Sequence, residues 1–487
     1  MANRFWVGGT GTWDNASSAF WSTTSGGAGG ASVPTLSDTA IFDSNSGSGT
    51  VTTSNESVST AITVDSATLL LALGANLTTT NTFTLTRGTI SLSTYKLTCA
   101  IFASNNTNTR SIDFGTGNIE LTASAVNIWQ VNNATNFSFT GDPKVYAVAN
   151  AISGNRNFNH GTSSGSTELN SPSIYVTAGS DTFYFFSART VDFTGFSGTL
   201  NTGGKYVYGD YTLSPTMSLT ADAVNVLQFG STNATVRDIT CNGKTTPQAV
   251  LFFGTNGSWR FIDAFNVVST VSTTLRAGTL NANGQNVNIG SFALGSGTKT
   301  LTLGSGTWTV AGSGTAWNAN TNVANLTVSA STGTINMSSA SAKTFAGGAK
   351  VWPTLNQGGA GALTIEQSNT FANITNTVQP ATITLTASTT QTVSAFGISG
   401  TANNLITLNS SVPGSQATLS DSSGTINVTC VSIKDNNATG GATWNAYVDE
   451  NNIDAGNVDG WNFGLSPVVG GAEYTYTIRS FTQPRRF

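Results

Sequence analysis

The chain has 487 residues, a formal net charge of −4 and 9% charged side chains beside 38% hydrophobic ones, where a typical globular protein carries about 25% charged residues. With no basic patch to neutralise phosphates, nucleic acid is excluded as a partner, and this much apolar content at low net charge is not the signature of disorder. Ser, Thr, Asn and Gly supply the polarity while the helix formers Glu, Lys and Arg are scarce, so the fold class expected is all-β.

Residues 1–50 begin with "RFWVGGTGTWDNASSAFW", which places Phe5, Trp6, Trp13 and Trp21 on a glycine-rich frame. The opening MANRFWVGGTG has no apolar core of a secretory signal. Three tryptophans here can cover the open end of a β core, each burying a large apolar area. Phe5, Trp6, Trp13 and Trp21 are therefore the candidate residues of an N-terminal cap, or of a foot that docks the chain on a particle. "VPTLSDTAIFD" then starts the first regular strand, with Ile41 and Phe42 inward or capping. The longest apolar stretch, Ala67 to Leu77, is too short to span a bilayer, so no membrane insertion is expected.

From residue 51 the chain alternates apolar and polar side chains. "NTFTLTRGTISLS" turns Phe83, Leu85, Ile90 and Leu92 inward, and "TKTLTLGSGTWTVAG" does so with Leu301, Leu303, Trp308 and Val310. "PATITLTAS" adds Ile383 and Leu385, and "GTINVTCVSIKD" adds Ile426, Val428, Cys430 and Ile433. Gly, Asn and Ser turns punctuate these short strands, and so uniform a texture over this length favours a stacked solenoid over several sandwiches. An internal repeat agrees: Gly88 and Phe102 match Gly278 and Phe292, Gly115 and Gly117 match Gly304 and Gly306, and Trp129 matches Trp317. A long single-stranded parallel β-helix with roughly 20–25 residues per coil would make on the order of 16–20 coils. Its length would be roughly 75–100 Å. Two helical sections, 51–220 and 221–465, are expected between the cap and a C-terminal strand and arm at 466–487, which holds Arg479, Arg485, Arg486 and Phe487.

Residues 130–220 are richer in aromatics ("DTFYFFSARTVDF", "GGKYVYGDYTL") and are read as a lateral insertion or an irregular coil. A glycan-cleaving site there would need paired carboxylates, for which Asp192, Asp210, Asp222, Asp238 and Asp263 are the candidates, with Tyr206, Tyr208 and Tyr211 as sugar-stacking rings. These acids sit where turns favour Asp, and no catalytic residue is assigned. The single histidine, His160, lies in the polar stretch "NRNFNHGTSSGS" and is read as a loop residue with no second histidine to complete a site. "CNGKTT" lacks the first glycine of a phosphate-binding loop, since position 238 is Asp238. Cys99, Cys241 and Cys430 are too far apart in sequence for metal-ligand spacing and are expected to fill small buried positions. The acidic segment "YVDENNIDAGNVDGWNF", with Asp449, Glu450, Asp454 and Asp459, has oxygen ligands of the kind calcium takes but not an EF-hand spacing. No metal and no cofactor is therefore assigned.

Two resemblances add to this reading. "GGTGTWDNASSAFWSTTSGGAGGASVPTLSDTAIFD" resembles the opening of autotransporter-like bacterial surface β-helix proteins. "RDITCNGKTTPQAVLFFGTNGSWRFIDAF", "LTIEQSNTFANITNT" and the segment from Gly400 to Phe463 resemble a family of phage structural and tail proteins. Together they cover most of residues 1–50 and 220–465. The resemblance implies a β-helical virion protein made in the host cytoplasm without an export signal, a tail fibre or spike contacting a host surface glycan or receptor. It further implies assembly with other virion proteins as a homo-oligomer, trimeric in fibres of this type. A capsid decoration or head fibre and a glycan depolymerase are the alternatives on the same fold.

Overall fold

Alternating side chains and frequent turns produce one architecture along the chain: an all-β parallel solenoid of about 19 turns. The computed structural model describes residues 2–55, 57–124, 126–222 and 224–467, without the side chains of residues 163 and 164. The arm expected at 466–487 thus lies outside the described residues from 468 onward, and with it Arg479, Arg485, Arg486 and Phe487. At the spacing of paired strands, about 19 turns make a rod about 90 Å long.

Each turn lays its strands beside those of the next. One face runs from Ser57–Ser59 through Lys96–Cys99, Lys144–Ala147 and Ser258–Phe261 to Leu326–Val328. In the N-terminal half, the long strands Ala61–Leu73 and Thr82–Ser91 cross a corner and serve two further faces at once. Two new faces start at Ser187–Ala188 and Thr245–Thr246 and continue to Ile453–Asp454 and Val458–Asp459. The handover between these sets of faces falls in and just beyond the aromatic-rich segment. That segment is not a lateral insertion. Its strands Lys144–Ala147, Ser173–Val176, Val191–Asp192 and Tyr211–Thr212 pair in unbroken parallel succession. The coil is irregular in length: Val145 pairs with Ile174, 29 residues on, and Ile174 with Val191, 17 residues on.

The core is a narrow column of stacked side chains. Phe83, Leu85, Ile90, Leu92, Leu301, Leu303, Trp308, Val310, Ile383 and Leu385 are all fully buried, as the alternation requires. Phe83, Phe102, Trp129 and Phe158 form a parallel stack with centroids 5.8, 4.4 and 5.0 Å apart. The matching segment builds Phe292, Trp317 and Phe345 into a second stack at 4.6 and 5.8 Å, so the internal repeat is structural as well. Its glycines turn corners. Gly88 and Gly278 adopt φ of 97° and 89°, the left-handed region that side chains avoid, and a Cβ on Gly88 would lie 2.2 Å from the Ser66 carbonyl oxygen. Cys99, Cys241 and Cys430 are free and buried, and burial raises the thiol pKa of Cys99 and Cys241.

Candidate functional site

At the N-terminal end, Trp21–Ser22 runs antiparallel to Ala2–Trp6, which is itself parallel to Asp38–Phe42. Every other pairing between described strands is parallel, so this hairpin-like edge ends the series that further parallel strands would otherwise extend. Trp6, Trp13 and Trp21 are 0% exposed. Trp6 stacks on Phe20 at 4.9 Å, meets Trp21 edge-on at 5.2 Å and donates from Nε1 to the Gly9 carbonyl at 2.9 Å. Trp13 meets Trp21 at 5.3 Å, and Phe42 touches all three indoles. The indoles are thus spent inside the first turn and offer no face to a partner. Phe5, on the opposite side of its strand, is half-buried and is the one candidate of the four with exposed area. A matching cluster of Phe396, Trp444 and Trp461 lies near the other described end, with Trp444 and Trp461 at 5.1 Å.

The interior also holds cations, all in the inward phase of a strand and two residues before a buried apolar one. Arg110 precedes Ile112, Arg156 precedes Phe158, Lys205 precedes Val207, Lys299 precedes Leu301 and Lys343 precedes Phe345; all are 0–1% exposed. Four donate to backbone carbonyls of turns, groups that need a hydrogen-bond partner when buried. Lys343 donates to the carbonyls of Ser339, Gly359 and Gly361, and Lys299 to those of Gly295, Gly297 and Asn322. Arg110 donates to the carbonyls of Asn106, Asn133 and Thr135. Arg156 reaches Ala149 and Ala178 and forms a two-point ion pair with Asp181, which is also buried. Lys205 differs: its amine lies 3.9 Å from the centroid of the Tyr184 ring, and burial lowers its pKa to about 7.

The five carboxylates proposed from sequence are each held by local structure. Asp238 makes a two-point ion pair with Arg260, and Asp210 accepts the Asp238 backbone N–H at 2.9 Å. Asp263 accepts the backbone N–H groups of Cys241 and Asn242 from the turn below. Asp192 closes its own turn through Thr194, and Asp222 closes one through Val224 and Asn225. In the acidic C-terminal segment, Asp449 accepts from Ser466, Asp454 from Gly456 and Asp459 from Gln416. Among the described residues no three His, Cys, Asp or Glu side chains gather as a metal site.

His160 is not in a loop. It lies on the strand Asn155–Ser164, fully buried, and its Nδ1 accepts the Trp129 indole N–H at 3.3 Å. Burial lowers its pKa from 6.5 to about 3, with the Arg110 charge adding to the effect. The unfolded chain therefore takes a proton below about pH 6.5 that the folded chain refuses until about pH 3. Stability is fully present above pH 6.5 and is lost as pH falls through that window, by on the order of 4–5 kcal/mol in all. Hydrogen exchange of Asn127–Asn133 and Asn155–Ser164, corrected for its intrinsic pH dependence, should show the local opening free energy of wild type falling from pH 7 to 5. His160→Gln, which keeps an acceptor for Trp129, should abolish most of that slope.

The tyrosines divide. Tyr211 belongs to the core, edge-on to Phe229 at 5.7 Å, and so cannot serve as a sugar platform; burial raises its pKa. Tyr206 lies on the outer face between Phe186, at 5.5 Å, and Phe253, at 6.5 Å. Beside these rings is a hollow of about 310 Å³ lined by Gly161, Thr162, Gly165, Ser166, Phe186, Tyr206 and Tyr208. The Tyr208 hydroxyl lies 3.4 Å from the Ser166 carbonyl and 3.5 Å from its Oγ, which donates to Ser187 at 2.7 Å. The loop after this strand is fixed by buried Glu168, whose carboxylate accepts from the Thr232 N–H and hydroxyl, Asn233 Nδ2 and Arg237 Nη2. This clasp spans 63–69 residues of sequence and ties down the chain two residues after Ser166, which lines the hollow. Two further grooves lie elsewhere, one lined by Ser269, Ser291, Ser313 and Ser341, the other by Val351, Trp352, Pro353 and Phe371 beside Ser329 and Ser331.

The fold and surface define a parallel β-solenoid whose outer face is neutral and rich in hydroxyls. Comparison with protein families, curated proteins and solved structures finds no match for the chain.

Proposed function

We propose that this chain is a non-enzymatic structural component of a phage particle, a tail fibre or spike whose rod contacts the host surface. A β-helix is compatible with such proteins, and the observation that carries the reading is the unbroken series of about 19 parallel turns closed by tryptophans at its N-terminal end. A rod of that kind spans distance without a hinge, and its neutral hydroxyl-bearing face resists nonspecific charge-driven adsorption. The five middle carboxylates, each held in a turn or ion pair, favour a binding role over glycan cleavage. Other virion proteins are its partners in this reading, as are further copies of the chain in a trimer.

The test is cryo-electron microscopy of the intact particle with this chain located in the density. Density at the tail is expected. Density over the capsid lattice would make the chain a decoration protein, and its absence from the particle would overturn the virion reading. Release of reducing ends from host envelope polysaccharide by the purified chain would replace it with the depolymerase.

A further inference from the structure

We propose that the hollow beside Tyr206 binds an uncharged glycan, one hexose ring lying against Tyr206 while its hydroxyls meet Tyr208, Ser166 and Thr162. The proposal rests on the host-contact reading for its biological meaning and on the geometry for its chemistry. Outward positions of this rod are typically Thr, Ser or Asn, yet Phe186, Tyr206 and Phe253 come together there, half-buried, with Phe253 reaching Tyr206 from two turns further on. The Phe253 ring crosses the backbone of Gly230, where a Cβ would lie 2.4 Å from it; the glycine thus admits the ring to this place. A half-exposed ring beside hydroxyls suits a ligand with an apolar C–H face and a polar rim, which is the chemistry of a pyranose.

Charge fixes the class further. None of the seven lining residues is Asp, Glu, Lys, Arg or His, so an anionic sugar would leave water without a counter-charge. The phenol of Tyr208 is held neutral by burial and keeps its proton to donate. The hollow, of about 310 Å³, is at the small end of ligand pockets. Ser166 of its lining lies two residues from the Glu168 clasp, which limits the ordering required on binding.

The experiment is an array of uncharged and anionic glycans probed with the intact chain, followed by NMR titration of the strongest uncharged oligosaccharide. Tyr206→Ala should weaken binding by about tenfold or more, Tyr206→Phe should retain it, and Tyr208→Phe should weaken it several-fold, all with unchanged thermal midpoints. Tyr146→Ala, an outward tyrosine stacked on Tyr175 on another face, should have no effect. No binding to any uncharged glycan, binding to anionic glycans alone, or wild-type affinity in Tyr206→Ala would overturn the proposal. Binding by a chain absent from the particle would keep the site and remove the fibre reading. A chain on the tail that binds no uncharged glycan would do the reverse.

Discussion

Asp181→Ala should destabilise the middle turns by about 3–5 kcal/mol, because it leaves the Arg156 guanidinium buried without its counter-ion. Both side chains are 0% exposed, and the carboxylate supplies two of the guanidinium's acceptors, at 2.8 Å each. The Ala149 and Ala178 carbonyls remain but carry only partial charge. The rings of Phe183 and Phe196, 5.5 and 5.8 Å from the guanidinium carbon, close the site to water. Gly179 is held at φ 109° with its α-carbon against Arg156, where a Cβ would lie 2.3 Å from Nη2, so the guanidinium has no room to turn elsewhere. A long solenoid need not unfold in one step, so the readout is local. Hydrogen exchange of Asn155–Ser164 and Thr182–Phe185 should accelerate strongly while Ala381–Leu385 stays as in wild type. The double change Arg156→Met with Asp181→Leu should recover most of the loss, since a buried ion pair exchanged for apolar side chains of similar size is often near neutral. Protection in Asp181→Ala equal to wild type would show that the pair contributes nothing.

Those buried cations show how far the sequence could be followed. The strand alternation gave the solenoid and its core, because an inward Leu301 or Ile383 is fixed by period two alone. The same period marked the cations: Lys299 stands in phase with Leu301, and Lys343 with Phe345. What composition could not show was the acceptor set, carbonyls of turns a full coil away. His160 shares the phase of Arg156 and Phe158, but its Asn, Gly and Ser neighbours are turn formers, and that composition masks the period. Tyr211 stands in the inward phase with Leu213, which a list of nearby tyrosines hides. The Glu168 clasp was beyond reach for a different reason. It joins residues 63–69 apart, a distance set by irregular turns of 17 to 29 residues that no local pattern encodes. Trp444 and Trp461 were visible as residues, yet their pairing needs the register of the last turns.

Trp21→Ala should open the N-terminal end, with a local cost of about 3–5 kcal/mol for the lost ring and the cavity it leaves. Trp21 is the shared neighbour of the cluster, edge-on to Trp6, Trp13 and Phe42 at 5.2, 5.3 and 5.8 Å. It is also the strand residue that pairs with Trp6 in the antiparallel edge. Losing the ring weakens that edge, and a freed parallel strand can recruit another copy. Exchange should therefore rise in Ala2–Trp6 and Asp38–Phe42 and fade within a few turns, as nearest-neighbour coupling predicts. Light scattering should show concentration-dependent association absent from wild type. Phe5→Ser separates closure from docking, because Phe5 is half-buried on the outer side of the same strand. It should leave exchange nearly unchanged, so that any loss of incorporation into particles would come from a lost contact and not from a frayed end. If Trp21→Ala leaves the first turns protected, the tryptophans do not close the rod, and their burial requires another explanation.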